Sequence, residues 1–77
     1  MKELLTFLVE KITGNKAFEI QETDEEGRVD YLVSAPEEIV GMIIGKGGKT
    51  IKTIRNLLKV RATLEKKAVS VSVAPKA

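Results

Sequence analysis

One segment restricts the fold of this chain more than any other: IIGKGGKTIKTI, residues 43–54, in which three glycines separate two stretches of apolar periodicity. A short apolar stretch, residues 39–43, precedes the glycines. After them the apolar residues recur at steps of three and four, which is the helical period: Ile51, Ile54, Leu58 and Ala62. The segment therefore predicts two helices joined by a four-residue loop, Gly45–Gly48, with the second helix ending near Leu64.

A helix and a hairpin are predicted before this segment. Apolar residues recur at helical spacing over residues 2–13, and Gly14 with Asn15 supplies the stop. Residues 17–23 and 28–34 alternate or are rich in strand-forming residues, and the acidic stretch TDEEG, residues 23–27, reads as the turn between them. We therefore expect an antiparallel pair of strands after the first helix.

The remaining elements complete a two-layer α+β fold. Ser34 and Glu37 have the spacing of a capping box, with Pro36 in the first turn, so a helix is expected to start there. That helix should direct four apolar residues inward: Ile39, Val40, Met42 and Ile43. Residues 67–73, KAVSVSV, alternate as a last strand. The predicted order is helix-strand-strand-helix-helix-strand, with a three-stranded sheet packed on the helices.

The length of 77 residues allows a single domain, because a chain this short cannot support two cores. We expect its core to span residues 1–73, followed by a short tail at 74–77. The N-terminal segment is interrupted by charges and is neither a signal peptide nor a membrane span, so a cytoplasmic location is predicted. The chain has no Cys and no His, which removes the thiolate and imidazole groups of most metal and catalytic sites. An enzyme, a metal site and a cofactor are therefore not predicted.

Positive charge is concentrated around the glycines. Residues 39–64 contain six bases and no acid, whereas the rest of the chain has seven bases and eleven acids, so the net charge of +2 conceals a local excess. A basic helix face can serve solubility alone, although such faces usually mix both signs. From the charge run alone, a solubility face and an anionic partner both remain open.

The predicted loop is suited to a phosphate. A helix N-terminus presents unpaired N–H groups and about half a positive charge, and glycines allow an anion to approach the backbone. Two familiar nucleotide motifs do not fit: Ile43 stands where a Walker A loop needs glycine, and Thr50 stands where the dinucleotide fingerprint needs its third glycine. A tight turn with no ligand remains an alternative explanation of the glycines.

The segment from Ile43 to Ile54 resembles the signature of KH domains, in which Ile-Gly, two variable residues and Gly precede isoleucines spaced by three. A helix and two strands precede the signature and one strand follows, an order similar to KH domains of the second, bacterial type. A stand-alone domain of this size resembles the KhpA family of RNA-binding proteins. The resemblance covers essentially residues 1–73.

This resemblance implies that the loop clamps the backbone of single-stranded RNA against an apolar groove. The resemblance assigns the loop to four residues: Gly45, Lys46, Gly47 and Gly48. The basic residues that would contact phosphates are Lys49, Lys52 and Arg55. The groove would be lined by Ile43, Ile44 and Ile51, and for each of these a plain core role is equally open. Bases would be read near the final strand. An RRM is not predicted, because no strand carries the required stacking aromatics.

The resemblance also implies partners: single-stranded RNA, with single-stranded DNA left open, and either a second copy of the chain or a larger KH-containing protein. A role as RNA chaperone or post-transcriptional regulator is implied with them. The alternative function is a protein assembly module, in which the fold serves dimerisation or partner binding and RNA contact is residual.

Overall fold

The computed structural model describes residues 1–76 and has the predicted order of elements. Three helices, α1 (Lys2–Thr13), α2 (Glu37–Ile44) and α3 (Lys49–Leu64), accompany three strands, β1 (Glu19–Glu25), β2 (Arg28–Ala35) and β3 (Ala68–Pro75). The strands form one sheet in the order β1-β2-β3, with β2 antiparallel to β1 and parallel to β3. This is the α+β arrangement of a KH domain of the second type, with β1 and β3 at the two edges.

The core lies between the helices and one face of the sheet. Val29, Tyr31 and Val33 of β2 alternate toward it and are almost completely buried, as the sequence pattern predicts. The helices contribute the remaining large side chains, which are fully buried or nearly so: Leu5, Val9, Ile43, Ile51, Ile54 and Leu58. The four apolar positions predicted on α3, which include Ala62, are all buried.

The hairpin is tighter than predicted. Glu25 and Arg28 still pair, so the turn consists of Glu26 and Gly27, whose φ angles of 48° and 81° are both positive, as in a type I′ turn. β1 starts at Glu19 rather than residue 17, because the side-chain oxygen of Asn15 accepts a hydrogen bond from the Ala17 N–H at 2.7 Å and holds a local turn. The strand is therefore shifted by two residues.

The predicted capping box at Ser34 is wrong. Ser34 lies in β2, where it is paired with Glu19 on one side and Ala74 on the other, and this pairing keeps it out of the helix. The residue before α2 is Pro36, which makes no side-chain cap but accepts hydrogen bonds from the Ile39 and Val40 N–H groups through its carbonyl, both at 2.9 Å. The strand thus continues directly into the helix.

Two further expectations need correction. Met42 was expected to point inward, but 47% of its surface is exposed. Ile39 and Ile43, one turn apart, set the inward face of α2, and Met42 lies about 100° around the helix from Ile43. The last strand runs to Pro75 instead of residue 73, and the Lys76 N–H still donates to the Ala35 carbonyl at 2.8 Å.

Candidate functional site

The loop between α2 and α3 is a compact turn built on three glycines with positive φ angles. Gly45 has φ 76° and ψ 172°, Gly47 has φ 65° and ψ 17°, and Gly48 has φ 75° and ψ 13°. The Gly48 N–H donates to the Gly45 carbonyl at 3.1 Å and closes the turn. Because L side chains rarely adopt these angles, the conformation itself accounts for all three glycines. Glycine content alone is therefore no argument for a ligand here.

Gly45 carries a second constraint, from the side chain of Thr50. A Cβ at position 45 would overlap the Thr50 side chain and lie 3.0 Å from the Thr50 backbone nitrogen. The space around Gly47 and Gly48, in contrast, is open on the side where a Cβ would point. The base of the loop is therefore closely packed against the first turn of α3, and its tip is open to solvent.

The tip lies against the N-terminus of α3. Gly48 is the residue before the helix, no side chain caps the first turn, and that turn contains no acid. The N–H groups of the first turn have no partner within an α-helix, so they favour an anion. Lys46 and Lys49, on either side of the glycine pair, are both exposed. Backbone dipoles and side-chain charges of the same sign thus occupy one small region.

The basic side chains of α3 extend this region along the helix. Lys52, Arg55 and Lys59 are exposed and lie on the flank of α3 beside its buried face, at positions separated by three and four residues. The Nε–H of Arg55 donates to the backbone carbonyl of Val71 in β3 at 3.1 Å. That bond connects the basic flank to the edge strand of the sheet.

The three isoleucines predicted for a groove are in different environments. Ile43 has no exposed surface and Ile51 only 8%, and both belong to the hydrophobic core. Ile44 is 38% exposed and immediately precedes the loop. Among the three, Ile44 is therefore the side chain that a ligand can reach directly, whereas the other two support the loop from below.

The lysines of the site form no ion pair with another side chain of residues 1–76. The ion pairs formed by residues 1–76 join Arg28 to Asp30, Arg61 to Glu65, Lys67 to Asp24 and Lys76 to Glu19. None of these pairs includes Lys46, Lys49, Lys52 or Lys59. The acids are concentrated in β1 and its turn, at the opposite edge of the sheet from β3. The molecule therefore has one basic side and one acidic edge.

The groups with shifted pKa values lie away from the loop. A hydrogen bond from Ser70, with the neighbouring charge of Arg28, lowers the pKa of Asp30, and a hydrogen bond from Arg61 lowers that of Glu65. Burial and a 2.7 Å hydrogen bond to Glu22 raise the pKa of the Tyr31 hydroxyl. These shifts follow from contacts within the sheet and at the end of α3.

Residues 1–76 contain no group of three or more carboxylate, imidazole or thiol side chains that could hold a metal ion. No helix within the same residues is long and apolar enough to cross a membrane.

The sequence interpretation missed two surfaces. The first is the open edge of β3, which depends on strand order and could not be read from the pattern. The second is a stripe of exposed apolar side chains on α3, formed by Leu57, Val60 and Leu64 with 45%, 63% and 77% of their surface exposed. Their spacing of three and four is visible in the sequence, but the pattern does not say that this face stays uncovered. We call these residues the α3 apolar stripe.

Comparison with known proteins identifies the relatives of this chain. A family model described as the KH domain of KhpA/KhpB matches residues 2–73. The RNA-binding protein KhpA of Thermotoga maritima is 42% identical over 59 residues, which cover 75% of this chain and 79% of that protein. The RNA-binding protein KhpA of Chlamydia pneumoniae is 32% identical over 74 residues, 95% of each chain. An archaeal KH and PIN-domain containing protein of Methanocaldococcus jannaschii is 30% identical over 66 residues, 86% of this chain and 10% of that protein.

Proposed function

The chain belongs to the KhpA/KhpB family of KH domains, and on that premise we propose that it binds single-stranded RNA through the GKGG loop and the basic flank of α3. Relatives from two bacterial genera carry the name RNA-binding protein, which supports RNA as the ligand. The observation that carries the proposal is the concentration of lysines, without ion-pair partners among residues 1–76, around the N-terminus of α3, which no side chain caps. The function is binding, without catalysis.

In this proposal the loop holds one phosphate and α3 guides the next. The N–H groups at the start of α3, together with Lys46 and Lys49, contact a phosphate at the open tip of the loop. Lys52 then lies one turn along the helix, within reach of an adjacent phosphate. The remaining proposed residues act on the nucleotides or support the loop: Gly45, Gly47, Gly48, Arg55, Ile43, Ile44 and Ile51.

A small site of this kind binds weakly by itself, and a second copy of the site would raise the affinity through effective concentration. We therefore include a dimer in the proposal, either of this chain or with a larger KH-containing protein. The α3 apolar stripe supports it, because exposed leucines and a valine at helical spacing are typical of helix-mediated contacts. A cytoplasmic RNA chaperone or post-transcriptional regulator is the cellular role that fits such a dimer, with the whole chain as one KH domain.

A protein assembly module is the second candidate function, and the same stripe favours it. From the helical period of roughly 100° per residue, the stripe and the basic flank lie on opposite sides of the buried face of α3. The two surfaces can therefore act independently. Replacing Leu57 and Leu64 with Glu should leave RNA binding to a short oligomer intact if the two functions are separate. Sedimentation of the variant and of the parent would show whether the stripe mediates association.

The decisive experiment changes the charge of the loop tip. We expect the double variant Lys46→Asp, Gly47→Asp to remain folded, because both positions are exposed, and to lose binding to a short unstructured RNA in fluorescence anisotropy. Two carboxylates at the phosphate position turn attraction into like-charge repulsion. Lys16→Asp combined with Gln21→Glu, both at exposed positions outside the signature, lowers the net charge by the same amount and is the matched control. A folded double variant with the affinity of the parent would remove the loop from the site and favour the assembly module.

A further inference from the structure

The open edge of β3 presents backbone groups in a fixed alternation. In a parallel ladder, the N–H and C=O of one residue point to the same neighbouring strand, and those of the next residue point the opposite way. The Ala68 N–H donates to the Gly27 carbonyl at 2.9 Å, and the Lys76 N–H donates to the Ala35 carbonyl at 2.8 Å. Even-numbered residues of β3 therefore pair with β2. The backbone groups of the odd-numbered residues Val69, Val71 and Val73 consequently point to the open edge.

Arg55 modifies this edge at its centre. Its Nε–H donates to the Val71 carbonyl at 3.1 Å, so the central acceptor of the open edge is already occupied by a donor. The Val71 N–H remains directed outward beside it. The bond also orients the guanidinium group, whose terminal nitrogens still have N–H groups to donate. At this point the edge presents hydrogen-bond donors from both the backbone and Arg55.

We infer that Arg55, held by the Val71 carbonyl, selects the base bound at this position and favours bases with two adjacent hydrogen-bond acceptors. This inference rests on the RNA binding proposed above and moves Arg55 from phosphate contact to base recognition. Guanine offers N7 and O6 as an adjacent acceptor pair, and cytosine offers O2 and N3. Adenine has an amino donor beside each acceptor of its Watson–Crick or Hoogsteen edge, and uracil has an N–H between its two carbonyls. Adenine and uracil are therefore disfavoured.

The position of Arg55 supports this assignment. Lys52 is one turn closer to the loop on the same basic flank, so the phosphates nearest the loop meet lysines before Arg55. Arg55 instead reaches the sheet edge, where a base that points away from the backbone of a bound strand would arrive. A planar fork on a fixed side chain gives directional recognition, whereas a lysine at the same place would supply only a point charge.

The inference is tested with hexamers of uridine in which one nucleotide, placed in turn at each position, is adenosine, guanosine or cytidine. For the parent chain we expect the best guanosine or cytidine oligomer to bind at least about fivefold more tightly than the matching adenosine or all-uridine oligomer, the lower end for a bidentate base contact. An oligomer with 7-deazaguanosine tests whether the acceptor pair is N7 and O6 of guanine. It lacks N7, so its affinity falls if guanine is read through N7 and O6.

Arg55→Lys keeps the charge but loses the fixed fork, so the preference among oligomers should fall below about twofold. Lys16→Arg, at an exposed position outside the loop and the basic flank, should leave the preference unchanged. Equal affinities in the parent, a preference for adenosine or uridine, or an unchanged preference in Arg55→Lys would overturn the inference. If the only role of Arg55 were to hold α3 against β3, Arg55→Lys would lower the melting temperature without altering the preference. If no oligomer bound at all, the proposed function itself would fail instead.

Discussion

At the residue scale, the three glycines of the loop have different reasons to be glycine. Gly47 and Gly48 are left-handed residues in open space, so only their backbone angles require glycine. Gly45 combines a positive φ of 76° with a ψ of 172°, a region used almost solely by glycine, and it also contacts Thr50. The loop therefore depends on Gly45 for packing as well as for conformation.

This difference predicts unequal effects of alanine. Gly45→Ala should lower the free energy of unfolding by more than about 2 kcal/mol, because strain and overlap with Thr50 add. Gly47→Ala should cost about 1 to 2 kcal/mol, the strain of a left-handed residue alone. Urea denaturation of both variants measures the difference, and Gly41→Ala, in the middle of α2 with open space around it, serves as a control. A larger loss for Gly47→Ala than for Gly45→Ala would contradict the packing of Thr50 against the loop.

At the element scale, α3 separates its tasks by face. Its buried face closes the core, its basic flank carries the proposed RNA contacts, and the α3 apolar stripe lies on the other side. A single helix of 16 residues can do this because its side chains are distributed around the axis with a period of about 3.6 residues. Substitutions on different faces should therefore have separable effects.

Leu58 and Lys52 provide the contrast. Leu58 has no exposed surface, so Leu58→Ala should cost roughly 2 to 5 kcal/mol and can unfold a domain this small. Lys52 is exposed, so Lys52→Ala should change stability by less than about 0.5 kcal/mol and weaken RNA binding. Thermal melts and fluorescence anisotropy on both variants check the pair. The reverse ranking in the melts would show that the buried face of α3 is assigned incorrectly.

The sheet carries a carboxylate whose contribution depends on pH. Asp30 of β2 accepts hydrogen bonds from Ser70 of β3 and from Arg28, and these contacts lower the pKa of its carboxyl group below the ordinary range of aspartate. A lowered folded-state pKa means that the stabilisation is present above the unfolded value and is lost as the pH falls through the folded value. Asp30→Asn should therefore be less stable than the parent at neutral pH. The difference should shrink below about pH 4, near the unfolded pKa of aspartate.

Denaturation at several pH values measures that difference, with Asp24→Asn, at a more distant ion pair of 3.6 Å, for comparison. If the difference in stability between Asp30→Asn and the parent stayed constant down to pH 2, Asp30 could not be the carboxylate that makes the stability depend on pH.

At the scale of the whole molecule, charge is divided between two sides. The loop and α3 are basic, while β1 and its turn are acidic; α3 packs against β3, which lies at the opposite edge of the sheet from β1. The net charge of +2 therefore understates the attraction that a phosphate chain would feel at the basic side. The acidic edge should repel the phosphates of a bound RNA and keep the RNA from wrapping around the domain.

This division predicts a small, measurable dependence of RNA binding on salt. Single strands release counterions with a slope of about −0.7 per phosphate contact, so two to four contacts give a log–log slope of about −1.5 to −3. Anisotropy titrations of an unstructured RNA from low to high salt measure it, and Lys52→Ala should reduce the slope by about 0.7. Binding that did not change with salt would contradict the phosphate contacts.

The sequence determined the order of elements, the buried face of α3, and the position of the glycine loop. These depend on local periodicity and on residues with special backbone angles, which act within a few positions along the chain. Local signals also misled: Ser34 and Glu37 have the spacing of a cap, yet pairing with β1 and β3 keeps Ser34 in a strand. The prediction that Met42 points inward is also wrong, because the packing of Ile39 and Ile43 in the core sets the rotation of α2 about its axis.

Only the tertiary structure decided which groups from distant parts of the chain meet. The bond from Arg55 to the Val71 carbonyl spans 16 residues, and the parity that turns this carbonyl to the open edge depends on the pairing of β3 with β2. The tertiary structure also decides that Ile43 and Ile51 are buried while Ile44 is exposed, and that the α3 apolar stripe is exposed. A one-residue change in the register of β3 against β2 would reverse this parity while leaving every local pattern intact, which is why the sequence alone could not supply it.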